Sequence, residues 1–382
     1  MWLRIIGAIA FTATFGVIGY FIIAISMILS TKNGYVYVGI LVVATLIVVN
    51  VMILGVLKNL SRKLANLIPI LIYAIPLVIY GGYETYMNSI EIENAEVDLT
   101  QYEPFEENTK VARLDGNSSF QLKEPLPALD GATALYPVYS AFTRALYPEG
   151  YYPHDNPLES KVIVSKTNDA YDKLASQDVD MIFAAGPSSA QKRKLGDERE
   201  LTPIGKEGFV FFVHTSNPVD TLTIEELQGI YSGEITNWKK VGGKDQEIIA
   251  FQRPEGSGSQ TGLQNMMGNV PIMEPPSDQR VTGMGGVIKK ASNYRNHRNA
   301  IGFSYRYFAT KMVKQHGIKL LKVNDVTPDV DSIQSESYPL TGEFYAITNG
   351  TENPQIAAFK EWILSEEGQT LIEKTGYVPI GR

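Results

Sequence analysis

The 382-residue sequence contains no cysteine. That removes disulfides, thiolate metal sites and cysteine nucleophiles, and also a lipid anchor, which needs a cysteine at the mature amino terminus. Acidic residues are missing from the whole amino-terminal part: the first is Glu84. Histidine is scarce, and His154, His214, His297 and His316 stand in no metal-ligand spacing such as HExxH. No GxSxG elbow accompanies them. Nothing in the sequence supports catalysis, a resident metal or a cofactor.

Charge of either sign is absent from three long stretches, Ile5 to Thr31, Asn33 to Leu57 and Leu64 to Tyr83. Each reaches the roughly 20 residues that span about 30 Å of hydrocarbon as a helix. The first is also far longer than the roughly 7–15 residues of a signal-peptide core, which argues against cleavage. Arg4 precedes the first stretch, Lys58, Arg62 and Lys63 separate the second from the third, and only Lys32 separates the first from the second. The positive-inside rule then places the amino terminus and the 58–63 loop in the cytoplasm. Three crossings leave everything after Tyr83 outside, on a multi-pass cell-membrane protein whose first partner is the lipid bilayer.

Of the 34 basic residues, five lie within 1–83, leaving 29 against all 41 acidic ones, a net charge of −12 for residues 84–382. A general basic field for nucleic acid is excluded. An anion bound by this part must be held by local donors against an unfavourable mean field.

The chain therefore divides into a three-helix anchor (1–83), an acidic juxtamembrane linker (84–115) and a globular domain (116–382). In the domain, "KVIVS" (161–165), "VDMIFAA" (179–185) and "GFVFFVHT" (208–215) read as strands. Residues 136–148, 168–177, 223–233 and 353–376 read as helices, with Thr223 and Glu226 spaced as a capping box. Strands alternating with helices predict an α/β fold with a largely parallel sheet, whose ligands bind where strands give way to helices.

Three such junctions carry small hydroxylated residues. The sharpest is "RPEGSGSQT" (253–261), between the apolar run Ile248–Phe251 and a helical stretch from about Gln260. Its glycines let the backbone turn tightly and offer N–H groups, and the helix start adds unpaired amides and the positive end of its dipole. Ser257, Ser259 and Thr261 supply hydroxyls, and Arg253 a charged fork suited to a tetrahedral oxyanion. Glu255 is placed to brace that fork. No Lys follows the second glycine, so this is not a Walker A loop; the same composition also suits a solvated Gly/Ser loop. The other junctions are "DGATALYPVYSAF" (130–142), with Thr133 and Ala134, and "VSKTNDAYDKL" (164–174), with Thr167 and Asn168. Each alone also reads as ordinary helix capping.

Taken in order, "DGATALYPVYSAF", "NPVDTLTIEELQGIYSGEITNWKKVGG", "RPEGSGSQT", "AIGFSYRYF", "YPLTGEFY" and "SEEGQTLIEKTGYVPI" resemble PstS-type phosphate-binding proteins, the extracytoplasmic receptors of ABC phosphate importers. The resemblance covers about residues 128–380. It implies a two-lobed, periplasmic-binding-protein-like type II domain, with lobe 1 near 116–214 and 336–382 and lobe 2 near 215–335. It also implies a phosphate or related oxyanion ligand, and ABC permease and ATPase subunits as partners. Carried over by position, the family's anion ligands fall on Arg253, Ser257, Gly258 and Ser259, its arginine-bracing acid on Glu255, its first turn on Thr133 and Ala134, and its second on Thr167 or Asn168. The family also carries an Asp that accepts a hydrogen bond from protonated phosphate. Here the chain reads "IFAAGPSSA", with Ala185 or Gly186 at that place, and Ser188, Ser189 and Glu207 are the polar residues available to compensate. The alternative reading keeps the fold but makes the protein a membrane-anchored oxyanion sensor or interaction module, its helices pairing with a partner.

Overall fold

The computed structural model describes residues 1–29, 34–90, 97–275, 298–313 and 318–381. They divide into two compact units, 1–89 and 90–382. The first holds α1 (Trp2–Leu29), α2 (Gly34–Leu54) and α3 (Arg62–Ile90). All three are long and apolar enough to cross a membrane. Most of their large side chains face outward, as Ile6, Phe21 and Ile79 do, which a water-soluble helix bundle could not sustain. Polar groups tie the helices together: Asn50 donates to the Thr12 hydroxyl at 2.8 Å and Tyr73 to the Thr45 hydroxyl at 3.0 Å. α3 carries Pro69 and Pro76 internally.

α3 runs past the apolar stretch to Ile90, and the expected linker is accordingly short. Residues 91–96 lie outside the described residues, and by Tyr102 the chain is already inside the second unit's core. Tyr102 and Val111 are buried with Tyr136, Phe142 and Trp362, and the Tyr102 carbonyl accepts from Ser140 at 2.5 Å. Two apolar residues among many acids escaped the sequence reading because burial there depends on a distant partner surface.

The second unit is mixed α/β. Its strands are β1 (Leu129–Gly131), β2 (Met181–Ala185), β3 (Arg199–His214), β4 (Thr221–Leu222), β5 (Ile249–Ala250), β6 (Ala300–Tyr305), β7 (Ile318–Leu320), β8 (Lys322–Val323), β9 (Thr341–Asn349) and β10 (Val378–Pro379). The main sheet has the order β1-β2-β9-β3-β6-β5, with β7 and β10 also on β3, while β4 pairs β8 separately. Among the described residues, parallel pairing between strands is confined to β1–β2, β5–β6 and β4–β8. The central ladders are antiparallel, contrary to the largely parallel sheet expected. The cause is β3, sixteen residues long. Its first half, Arg199 to Gly208, pairs with β9, and its second, Phe209 to Val213, with β6. One strand thus serves two half-sheets, and the chain returns along it in the opposite sense.

The halves have separate cores. One gathers Tyr139, Phe142, Phe183, Phe359 and Trp362, with Tyr139 stacked on Phe183 at 5.0 Å between ring centroids. The other gathers Phe211, Tyr231, Trp238, Leu263 and Phe303. The crossover along β3 falls at Gly208/Phe209, earlier than residue 214, where alternation of apolar residues alone gave no sign of a change of partner.

The helices are α4 (Tyr136–Leu146), α5 (Lys166–Ala175), α6 (Ser189–Leu195), α7 (Ile224–Ser232), α8 (Gly258–Met267), α9 (Val330–Gln334), α10 (Ile356–Leu364) and α11 (Glu366–Thr375). The box at Thr223 forms as read, its hydroxyl accepting Glu226 N–H at 3.1 Å and the Glu226 carboxylate accepting Thr223 N–H at 2.9 Å. The expected single helix over 353–376 is broken at Ser365, which is extended and whose hydroxyl donates to the Trp362 carbonyl at 2.7 Å. A side chain on Gly368 would overlap the Ile363 carbonyl, so the two helices meet there at closest approach. The expected strand over 161–165 contributes only one bridge, Leu129 to Val162.

At the crossover Glu207 and Arg306 form a buried pair, both under 7 % exposed, with Nε to Oε1 at 3.2 Å. Glu207 also accepts the N–H groups of Gly208 and Tyr307, and Arg306 Nη2 donates to the Gly376 carbonyl at 2.7 Å. Burial holds the Glu207 carboxyl above its ordinary range, with the Arg306 charge pulling it back. Arg306→Met strands that carboxylate and should destabilise the domain by about 3–5 kcal/mol. Losing the counterion raises the folded-state pKa further above the unfolded value. The deficit should therefore be small below the ordinary glutamate range and grow as pH rises through the raised value. Denaturant melts at pH 5 and pH 8 measure this; a deficit that shrinks with pH would contradict it.

Candidate functional site

The first turn follows β1. Gly131 lies so close to β2 that a Cβ there would sit 2.5 Å from the Phe183 carbonyl, and only glycine fits. The chain then makes a short 3-10 turn, Thr133–Leu135, before Pro137 opens the first turn of α4. Thr133 is buried.

Asp130 joins this turn to the second. It is fully buried, and its Oδ1 accepts the N–H groups of Gly131 and Ser165, each at 2.7 Å. Lys173 approaches its other oxygen at 3.7 Å and donates to the Ser165 hydroxyl at 2.6 Å. Burial raises the Asp130 pKa, while the Ser165 and Gly131 hydrogen bonds and the Lys173 charge lower it. Held this way, the chain enters α5 through Lys166, whose φ of 71° is a left-handed conformation rare outside glycine. Such strain persists only where surrounding bonds over-determine it, and Asp130 supplies them.

The third turn leads into α8. Ser257 is its cap, its hydroxyl oxygen accepting Gln260 N–H at 3.3 Å. Capping uses a lone pair and leaves the hydroxyl proton to donate. The Gln260 side-chain Oε1 accepts the Arg253 backbone N–H at 2.9 Å, and Arg253 Nη1 donates to the Ser259 hydroxyl at 3.1 Å. Burial pulls Arg253 down to about 10, which leaves it a cation at neutral pH.

The three turns face one cavity of about 230 Å³ between the half-sheets. Thr133, Ala134, Thr167, Asn168, Arg253, Ser257, Gly258 and Ser259 all line it, whereas Thr261 is not among the lining residues and its hydroxyl donates to the Ser257 carbonyl at 3.3 Å. Glu255 is not among the lining residues. It occupies the apex of the turn closed by Ser257 N–H to the Pro254 carbonyl at 3.3 Å, its side chain is exposed, and the contact to the guanidinium comes instead from Ser259. Of Ala185 and Gly186, Ala185 lines the wall of the cavity. Ser188 is spent on capping α6, as an acceptor from Gln191 N–H at 3.3 Å.

Sequence reasoning missed several walls. Lys166, Ser304, Tyr305, Phe308, Phe344 and Tyr377 also line the cavity, as do the carboxylates Asp169 and Glu343; Glu207, one of the polar residues named from sequence, lines it too. Tyr305 donates to the Gly258 carbonyl at 3.4 Å, and the Tyr377 hydroxyl bonds the Ala134 carbonyl. Their available signal was their place in the blocks "AIGFSYRYF" and "TGYVPI"; their direction is a tertiary fact. His154 and His214 are elsewhere, on Glu103 and Ser216, while His297 and His316 fall outside the described residues.

Residues 128–367 match the family model described as a PBP superfamily domain. The chain belongs to the PBP superfamily. Within it, the chain is similar to the phosphate-binding protein PstS of Borreliella burgdorferi, 27 % identical over 196 residues, covering 50 % of this chain and 69 % of that one. It is also similar to PstS of Bacillus subtilis, 24 % identical over 201 residues, covering 52 % of this chain and 62 % of that one. In fold, this PBP-superfamily domain resembles the crystal structure of a putative phosphate ABC transporter substrate-binding protein with bound phosphate from Clostridium perfringens. The TM-score is 0.50 and the identity 23 %, over 66 % of this chain and 98 % of that one.

Gly131→Ala tests the geometry without a ligand. The new methyl meets a backbone carbonyl that cannot rotate away, so the domain should lose about 1–3 kcal/mol in urea unfolding with an unchanged m-value. A neutral result would mean that β1 and β2 are farther apart than described.

Proposed function

We propose that this protein is a membrane-tethered solute-binding protein that captures phosphate, or a closely related oxyanion, outside the cytoplasm and delivers it to the permease and ATPase subunits of an ABC importer. The observation that carries this reading is the convergence of Arg253 with the hydroxyls of Thr133, Thr167, Ser257 and Ser259 on one small cavity. A multiply charged anion can leave water only where donors replace its hydration shell. The guanidinium, four hydroxyls and the first amides of α5 and α8 form such a set. The cavity's 230 Å³ falls below the roughly 300–1,000 Å³ of pockets for drug-sized ligands, which favours a small inorganic guest. The relatives named for phosphate binding support the choice of phosphate. The three apolar helices take the place of a lipid anchor, keeping the binding domain near its permease in a chain without cysteine.

Titration calorimetry of the full chain in detergent micelles, with phosphate and then sulfate, is the direct test. Phosphate should bind, and Arg253→Ala and Ser257→Ala should each weaken it by about 1–3 kcal/mol or more. Absence of heat with either oxyanion would refute the reading, and unchanged affinity in both variants would misplace the pocket.

A further inference from the structure

Asn168 lines the cavity but spends its side chain elsewhere. Its Nδ2 donates across the cleft to the Glu255 carbonyl at 3.2 Å, 87 positions away in the chain. Its Oδ1 accepts from Gln191 Nε2 at 3.0 Å, and the same nitrogen donates to the Gly256 carbonyl at 3.2 Å. Gln191 is buried and does not line the cavity. Its Oε1 accepts Ser188 N–H at 2.9 Å, so each side of its amide is engaged. Asn168 and Gln191 belong to the β1–β2 half, whereas Glu255 and Gly256 precede α8 in the other. The loop side is shaped to receive them: Gly256 has φ of 81°, and a Cβ on it would overlap Asn168 Oδ1. Two residues further, a Cβ on Gly258 would lie 3.3 Å from the Thr167 hydroxyl.

We infer that Asn168 and Gln191 form a neutral latch that closes the cavity from its outer side, opposite the Glu207–Arg306 crossover, and sets how long a bound anion is retained. The inference rests on the capture reading above and changes the part assigned to Asn168, from ligand to closure. Two amides suit the position. They bridge the halves through the Glu255 and Gly256 backbone carbonyls and add no further charge to a cavity that the carboxylates Asp169 and Glu343 already line. Opening the cleft leaves one N–H of each amide and two carbonyls to be rehydrated, so the closed form is favoured by two hydrogen bonds of ordinary strength. The apparent affinity then scales with the fraction of protein that is closed.

Gln191→Glu keeps the oxygen that caps α6 and removes both donors, while Asn168→Ala removes the other arm. In the cysteine-free chain, Glu159→Cys and Lys244→Cys allow one spin label on each half, read by pulsed electron paramagnetic resonance on full-length protein in nanodiscs. With the latch intact, short inter-label distances should be populated, and each variant should shift them to longer values. Inorganic phosphate should then dissociate about tenfold faster from each variant, with little change in association rate. Gln191→Glu is the discriminating variant, because Gln191 does not line the cavity: a mere charge effect of the new carboxylate would slow phosphate association, whereas loss of closure speeds release. Variant distance distributions that superpose on the parent, with and without phosphate, overturn the latch. If the parent binds no phosphate yet its distances still depend on Gln191, the latch stands and the capture reading falls.

Discussion

The cavity exists because one strand belongs to two half-sheets. β3 pairs with β9 over its first part and with β6 over its second, so each half builds its own core while sharing a backbone. Packing cannot close over the point where the partners change, and the space left there is bounded by the turns that follow β1, precede α5 and precede α8. The buried Glu207–Arg306 pair sits at this crossover, tying β3 to the residues just after β6 and, through Gly376, to the end of α11. A buried ion pair is weak evidence for stability but a strong constraint on register, since neither charge tolerates losing the other.

Around that space the electrostatics are economical. The unit carries a net negative charge, yet the cavity concentrates one mostly buried guanidinium, several hydroxyls and the amino ends of two helices. Most of these groups already have a structural task. Ser257 caps α8, Ser259 accepts from Arg253, and Asp130 fixes two turns through N–H groups on both. A hydroxyl that accepts one bond has a proton left to give. The same contacts that fold the turns thus orient the donors a ligand would meet. Preorganisation of this kind lowers the entropic cost of binding.

The fold was legible where it depended on local pattern. The three uncharged stretches became three helices, Thr223 and Glu226 formed their capping box, and the apolar runs at 179–185 and 208–215 fell in β2 and β3. It was not legible where pattern and partner diverge. The run at 161–165 has strand composition but only one bridge, and the 353–376 helix breaks at Ser365 because two helix axes must pass each other at Gly368. Within the site, the residues picked out on the three turns do line one cavity, while Glu255 was assigned inward and lies outward at a turn apex.

The sequence by itself determined which segments are apolar enough for a bilayer, that cysteine chemistry is excluded, and which three turns carry small hydroxylated residues, because these follow from composition and from neighbours a few positions apart. Tertiary structure alone decided that the turns share a cavity, that Asn168 reaches Glu255 rather than standing free, and that tyrosines from two distant blocks complete the wall. Those are contacts between residues far apart in the chain, and their geometry is set by how β3 bends from one half-sheet into the other.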